Sequence, residues 1–496
     1  MAQLTGPAKL AAVQKILDDL AKDLESPVLK PQERDVALEQ LKLYGRNPSY
    51  ADPIFTKRGL EILTKFAFDS ASDTTSRNAL RVLCNTLFLQ EQTRQVFVSL
   101  GYEAKACLKL RNDSREDEFL ISRLILLTTY GTNIDLPTLM ENEQLADTII
   151  QNLSRHAKRL AGTKPAPNTA DPMVGMALEE TLKLLFNVTN FAKDHLSAFD
   201  RAFPHISSLL STLPPPQASA PLDPPFGLLI NTLINLDAST PTARAALFPV
   251  DKPTLLIDRL LQLLDLSLKT YNDTELEQSV TQLVCTLSLL YEHAPKPGSP
   301  AGADTDTEKD TARTVLQKTL LPTEQDRVTV LGRADTLPSR LLRNWTNPLT
   351  PNFGRAIAHL FFDLSDKSPV RFVENVGYGY ASGFLFENNI NVPEEALRAQ
   401  GGSGQGSSSS AGGASAGRGR REVNPITGQF LDEERFADLP EMTTEEKERE
   451  AERLFVLFER LRQTGVVDVE NPVATAMREG RIQELSDDDD AAADLD

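Results

Sequence analysis

The chain has 496 residues, enough for a large core or several domains. Hydrophobic residues make up 40% and aromatic residues 6%; Leu dominates and Val and Ile seldom alternate with polar residues, which favours helix over sheet. A net charge of −18 argues against a general nucleic-acid binder. Three widely spaced cysteines (Cys84, Cys107 and Cys285), with no CxxC and no neighbouring His pair, argue against a disulfide framework or a zinc site and fit a reducing compartment.

The opening MAQLTGPAKLAAVQKILDDL has no unbroken apolar core, so no signal peptide is expected. No apolar run reaches the length of a membrane span. At 79–88, ALRVLCNTLF introduces a phrase that returns: a large apolar residue, two positions, Leu, a bulky apolar residue, then a sixth position. It fits Leu80/Leu83/Cys84/Asn85, Leu182/Leu185/Phe186/Asn187 and Phe226/Leu229/Ile230/Asn231. Looser copies are Ile121/Leu124/Ile125/Leu126, Val280/Leu283/Val284/Cys285 and Ile357/Leu360/Phe361/Phe362. The sixth positions are separated by 41, 61, 44, 54 and 77 residues. A base period of about 40–47 residues is that of HEAT or armadillo repeats. The longer gaps hold AGTKPAPNTADP (161–172) and PKPGSPAGADTDTEKD (295–310), both with the chemistry of surface loops.

Each copy has helical periodicity, and Ser72 or Asp73 is placed to cap the first. Amphipathic runs at 147–160 and 253–268 lie between copies. No such unit buries its apolar face alone, so neighbours must stack. The sequence therefore predicts an all-α, armadillo/HEAT-like superhelix over 1–390. GYGYASG (377–383) reads as a turn between helices. Residues 391–440, with GGSGQGSSSSAGGASAG at 401–417, read as a flexible linker carrying an NPITG segment. A capping box at Thr443–Glu446 opens an amphipathic docking helix over 441–465, with Leu454, Leu457, Phe458 and Leu461 on one side. The tail, 466–496, is acidic. From Glu441 onward there are 17 acidic and 7 basic residues. Ser486, followed by four Asp, is a candidate for an acidic-directed kinase, although such runs also occur as plain acidic tails.

Asn is a middling helix former, so its return beside a buried face calls for a cause. Residues at steps of four share its helical stripe: Arg77, Arg81, Asn85; Glu179, Lys183, Asn187; Gly227, Asn231, Asn235. Such a flank is placed to line a groove, where an Asn amide grips a peptide backbone and Arg77 and Arg81 clamp a carboxylate. The alternative is that Asn ties one helix to the next loop and the arginines are a solvated face.

The pattern resembles armadillo proteins, whose last helix in each repeat carries such an Asn. Readers of nuclear-localisation peptides need Trp four residues before it. Here those positions hold Arg81, Lys183 and Gly227, which disfavours an import receptor. YGRNP (44–48), ADPIFTKRGLEIL (51–63), ALRVLCN (79–85), LKLLFNVT (182–189), VRFVENVGYGYASGFL (370–385), VNPITGQ (423–429) and the helix start at Met442–Ala451 together resemble the synembryn family, in family order and over nearly the whole chain.

That resemblance implies a cytosolic, monomeric exchange factor and folding chaperone for G-protein alpha subunits, whether GDP-bound, nucleotide-free or nascent. It implies recruitment to the inner face of the plasma membrane through the partner. The superhelix would hold the alpha subunit's C-terminal helix in a concave groove through Arg77, Arg81, Asn85, Asn187 and Asn231, with Arg340 and Arg343 at the far end. The 441–465 helix would wrap onto the GTPase domain through its apolar side. Animal synembryns carry acidic-flanked phosphorylation sites shortly before the NPxTG segment. Here a Gly/Ser-rich stretch takes their place, which puts that regulation in doubt.

No GxxxxGK[ST] is present, the glycine spacing of GYGYASG is wrong for a nucleotide loop, and the five histidines show no catalytic spacing. No cofactor and no catalysis are expected. A peptide-binding armadillo scaffold without exchange activity is the alternative.

Overall fold

The computed structural model describes residues 4–162, 171–296, 311–391, 423–424 and 427–433. The chain divides into a unit Met1–Asp432 and a second, Glu433–Asp496. The docking helix expected at 441–465, with Leu454, Leu457, Phe458 and Leu461, lies outside the described residues, as does Ser486.

The first unit is built from helices. We label those that carry the argument α1 (Gly6–Glu25), α2 (Pro31–Gly45), α3 (Lys57–Asp69), α4 (Asp73–Leu89), α5 (Arg115–Thr128), α6 (Leu145–Gly162), α7 (Pro172–Phe191), α8 (Phe203–Thr212), α9 (Phe226–Asn235), α10 (Leu255–Thr270), α11 (Thr281–His293), α12 (Leu337–Trp345), α13 (Pro351–Leu364), α14 (Pro369–Val376) and α15 (Tyr378–Glu387). Shorter helices join them. The only bridge among the described residues outside helices is the antiparallel pair Val423 and Phe430.

The six copies of the repeated phrase fall on α4, α5, α7, α9, α11 and α13. These helices pack side by side in that order as one row, with α2 beside α4. A second layer, α3, α6, α8, α10 and α12, backs the row. The repeated Leu positions explain this. Leu80, Leu83, Leu124, Leu182, Leu185, Leu229, Leu283 and Leu360 are all fully buried between the layers. Burial of each such side chain is worth about 1.5–3 kcal/mol. None of the helices could bury its stripe without its neighbours. The copy at Val280 starts in a π-helical turn, Leu276–Val280, that leads into α11.

The local signals act as written. Ser72 caps α4, its hydroxyl accepting from the Thr75 N–H at 3.3 Å. Guanidinium groups close several helix C-termini, where orphan carbonyls carry partial negative charge. Arg94 donates to Leu87 O on α4 (2.9 Å), Arg259 to Leu210 O on α8 (3.2 Å), Arg313 to Tyr291 O on α11 (2.9 Å), and Arg327 to Glu374 O and Asn375 O on α14 (2.8 Å each). The array's last described helix ends at Glu387, followed by Asn389 at φ 54°.

Two expectations change. GYGYASG is not a turn: only Gly377, at φ 79°, turns the chain, and Tyr378 onward is α15. The 391–440 segment is not uniformly a linker: among its described residues, Gln429 and Phe430 are buried and Gly428, Gln429 and Phe430 hydrogen-bond to Arg327 and Val328. Gly/Ser composition at 401–417 says nothing about the Asn-Pro and Thr-Gly chemistry that follows. Among the described residues, no helix is long and apolar enough to cross a membrane.

Candidate partner-binding face

Each row helix turns one stripe away from the second layer. On α4 it runs Arg77, Arg81, Asn85, Phe88; on α5 Glu116, Phe119, Arg123; on α7 Met176, Glu179, Lys183, Phe186. On α9 it runs Leu228, Asn231, Asn235, and on α13 Arg355, His359, Phe362. Starts of neighbouring row helices meet starts and ends meet ends, as Arg77 with Asp117, Asn187 with Thr129, Asn235 with Phe186 O and Asn352 with Glu277 show, so these stripes lie alongside one another.

Arg77 and Arg81 are tied into the array. Arg77 Nε donates to Asp117 Oδ1 at 2.9 Å and its Nη2 to Ser114 Oγ at 3.0 Å. Arg81 Nη2 donates to Glu116 Oε1 at 2.6 Å and Nη1 to Asn78 Oδ1 at 2.7 Å. The partners lie in the first turn of α5, where Glu116, Asp117 and Glu118 meet the positive end of the helix dipole. The hydrogen bond to Asp117, helped by nearby carboxylates, holds the Arg77 guanidinium above its ordinary value against burial. The Asp117 side chain is nearly inaccessible and also accepts from Asn112 at 2.7 Å. These arginines staple α4 to α5. They are not the unengaged carboxylate clamp expected from the stripe.

The asparagines separate into two kinds. Asn187 is 5% exposed, and its amide donates to Thr129 Oγ1 at 2.8 Å, tying α7 to the end of α5. Asn235 likewise donates to Phe186 O at 3.2 Å. Asn85 and Asn231 are half-buried on the face, and neither side chain is hydrogen-bonded among the described residues. Gly227 stands where the other copies have Arg81 and Lys183. A Cβ there would meet Leu222 O at 2.6 Å, so close approach of the preceding turn demands glycine.

Arg340 and Arg343 do not join this face. They lie on α12, in the second layer. Arg340 is spent on Asp265 (2.7 Å) and Asp335 (2.9 Å), and exposed Arg343 lies 3.9 Å from Asp335. Periodicity placed them on a helix but not in a layer.

The centre of the face holds residues that the Asn-based stripe passed over. The Arg123 guanidinium sits 5.7 Å from the centroid of the Phe88 ring, and Phe88 is 58% exposed. Arg123 Nη1 is 3.5 Å from Glu180 Oε1, which also accepts from Lys183 Nζ at 2.9 Å. Phe119 and Phe186 flank this group, half-buried. In the α5 copy the equivalent stripe is Glu118, Ser122 and Leu126, all buried, so the Asn template does not reach Phe119 and Arg123.

Beneath the face lies a buried polar knot. Glu118 Oε1 takes hydrogen bonds from His156 Nε2 and Thr181 Oγ1, both at 2.8 Å, joining α5, α6 and α7. Burial pushes the Glu118 carboxyl up, but the bonds from His156 and Thr181 and the nearby positive charges outweigh it, so it is held below the ordinary range. At the edge of the face, a hollow of about 540 Å³ opens between α5 and α7, lined by Asp113, Arg115, Glu116, Arg159, Asp171 and Met173. Its lining carries both signs of charge and little apolar surface, unlike a small-molecule site. Among the described residues, no three His, Cys, Asp or Glu side chains converge as a metal site.

The family model described as "Guanine nucleotide exchange factor synembryn" matches residues 37–481. Among curated proteins, a synembryn-like chaperone of Schizosaccharomyces pombe is 25% identical, the match covering 79% of this chain and 71% of that one. The chaperone Ric-8A of Pongo abelii is 25% identical and that of Gallus gallus 24%, each match covering 97% of this chain and 92% of the relative.

Proposed function

The chain belongs to the synembryn family of guanine nucleotide exchange factors, and from that premise we propose that it acts on heterotrimeric G-protein alpha subunits as exchange factor and folding chaperone. It does so by holding the alpha subunit's C-terminal helix against the row face and favouring the nucleotide-free state. The observation that carries this reading is the alignment of six copies of one phrase on six successive helices, which turns their stripes into one face. At its centre, Phe88, Phe119 and Phe186 offer an apolar seat, and Arg123, over the Phe88 ring and paired with Glu180, and Lys183, paired with Glu180 and Glu179, offer cations. Aromatic and guanidinium anchors of this kind dominate binding energy in protein interfaces. An amphipathic helix ending in a carboxylate complements them.

No chemical step is needed. A protein that binds the nucleotide-free form more tightly than the GDP form shifts the equilibrium by that difference. A difference of about 4 kcal/mol weakens GDP binding about a thousandfold. The same preference shields a nascent GTPase until GTP arrives. The 441–465 segment, through Leu454, Leu457, Phe458 and Leu461, supplies a second contact with the GTPase domain.

The test is GDP release from a purified alpha subunit with and without the chain. Acceleration by the full chain that is lost in Phe88→Ala/Arg123→Ala supports exchange through the face. Tight binding with unaltered GDP release would leave a peptide-binding scaffold instead.

A further inference from the structure

Three large rings stand in water along one edge of the array. Phe88, Tyr130 and Phe191 are 58%, 43% and 54% exposed, and each lies at or just past the last turn of a row helix, α4, α5 and α7. In the repeated phrase they follow the sixth positions Asn85, Leu126 and Asn187 by three, four and four residues (85 to 88, 126 to 130, 187 to 191), which puts them at one level of three neighbouring helices. Contacts hold that level. Arg94 Nε donates to Leu87 O, beside Phe88, and its guanidinium lies 6.0 Å from the centroid of the Tyr130 ring. Thr129, beside Tyr130, accepts from the Asn187 amide, one turn before Phe191. The line stops at α9, where the equivalent Asn235 turns to Phe186 O.

The edge is also prepared for the loss of water. A helix C-terminus leaves four carbonyls to solvent, and a partner that covers them strands each one. On α5 all four are already taken: Ile125 O by the Thr128 hydroxyl at 2.7 Å, Leu126 O by the Thr129 hydroxyl at 2.7 Å, Leu127 O by the Tyr130 N–H at 3.4 Å, and Thr128 O by the Thr132 hydroxyl. On α4, Thr86 O accepts from the Thr93 hydroxyl at 3.1 Å and Leu87 O from Arg94. Exposed rings beside a backbone that needs no water form a surface stabilised by being covered.

We infer that this ledge fixes how the partner lies: the alpha subunit's C-terminal helix crosses the ends of α4, α5 and α7 and sets one large apolar residue on each ring. The inference rests on the reading that this helix is the occupant of the row face. A helix laid along the row helices covers at most two of the rings; a helix laid across them covers all three. Packed neighbours stand about 8–10 Å apart, and two turns of a bound helix advance about 10.5 Å. The matching anchors therefore recur about every seven residues along the partner, a spacing that selects among amphipathic helices. The ledge is continuous with the centre of the face. Arg123 lies 5.7 Å from the Phe88 ring centroid, and Arg123 and Lys183 stand seven and eight residues before Tyr130 and Phe191. The occupant's acidic flank therefore faces inward and its apolar flank rests on the rings.

The experiment uses the full chain and a synthetic peptide of the alpha subunit's C-terminal helix. The photocrosslinker p-benzoylphenylalanine replaces Phe88, Tyr130 or Phe191, one position at a time, and mass spectrometry maps the peptide residues captured. Peptide affinity is measured in parallel for Phe88→Ala, Tyr130→Ala and Phe191→Ala. The expected result is three crosslink sites that step along the peptide in one direction by about seven residues each, with an affinity loss of about tenfold in every Ala variant. Capture of one end of the peptide from all three positions, or no capture at saturation, overturns the crossing. So does unaltered affinity in Tyr130→Ala and Phe191→Ala while Phe88→Ala/Arg123→Ala weakens binding, and in that case the row face stands as the seat. Affinity unaltered in all of these variants overturns the ledge and the face together.

Discussion

The two ends of the row are joined by different physics. Across α4, α5 and α7 the joints are polar: Arg77 with Asp117, Arg123 with Glu180, Asn187 with Thr129, and the Glu118–His156–Thr181 knot. Beside the other end, around α12 to α15, aromatic contacts are added to polar ones such as Arg313 with Asp366 and Asn352 with Glu277. Trp345 stacks on Phe361 and Phe372, each at 5.9 Å, and meets Tyr380 at 5.6 Å, while Phe384 lies 5.2 Å from Phe362 and 5.5 Å from Phe372. Aromatic joints consume the side chains that make them, burying the rings against one another. Polar joints at the rim leave aromatic and cationic groups facing outward, as Phe88 and Arg123 do. On the proposed function the polar half is the one whose outward groups receive the partner, while charge contributes at both ends, as Arg313 with Asp366 and Glu277 with the Asn352 and Phe353 N–H groups show.

The sharpest way to break the comparison is to remove its aromatic side. Phe361 is fully buried, and Phe361→Ala is expected to cost about 3–5 kcal/mol, insensitive to salt, in denaturant unfolding. A loss below about 1 kcal/mol would mean the aromatic cluster is not what holds the end of the array. Next, Asp117→Ala leaves Arg77 with Glu116 and Ser114 and removes the acceptor of Asn112, and is expected to cost about 1–3 kcal/mol. Hydrogen exchange should then rise first in α4 and α5 and leave α13 to α15 protected. Simultaneous loosening of both ends would show that the halves unfold as one.

A third prediction concerns pH. Folding holds the Glu118 carboxyl below its ordinary range, so the folded state favours its ionised form. That stabilisation is complete above the unfolded carboxylate value and is lost as pH falls through the lower, folded value. Glu118→Gln is expected to cost about 1–3 kcal/mol near neutral pH and to flatten the acid limb of the stability profile. An acid limb unchanged by this substitution would place the titrating group elsewhere. The smallest expected stability effect belongs to the face itself: Phe88→Ala and Arg123→Ala should each shift unfolding by no more than about 1 kcal/mol, while together weakening partner binding at least about tenfold.

The array was legible because burial repeats. Leu80, Leu182, Leu229 and their equivalents recur at helical spacing, and that one pattern located all six row helices. Direction within the array was much less legible. Arg77 and Arg81 share a stripe of α4, but their partners in α5 lie 40 and 35 residues away, and no local rule announces such a pairing. Asn187 kept its stripe yet turned its amide inward to Thr129, 58 positions earlier. Arg340 failed for a related reason: helical period says which side of a helix is apolar, not which of two layers the helix joins. Arg123 carried a signal that a template built on Asn could not see.

The most direct test is side-chain oxidative footprinting of the full chain, alone and bound to a nucleotide-free alpha subunit. Protection of Phe88, Phe119 and Phe186, with Val250 and Phe386 as reactive in the complex as in the free chain, is the predicted result. Unchanged reactivity at those three rings in a saturated complex would show that the partner sits elsewhere and that the row face is not its seat.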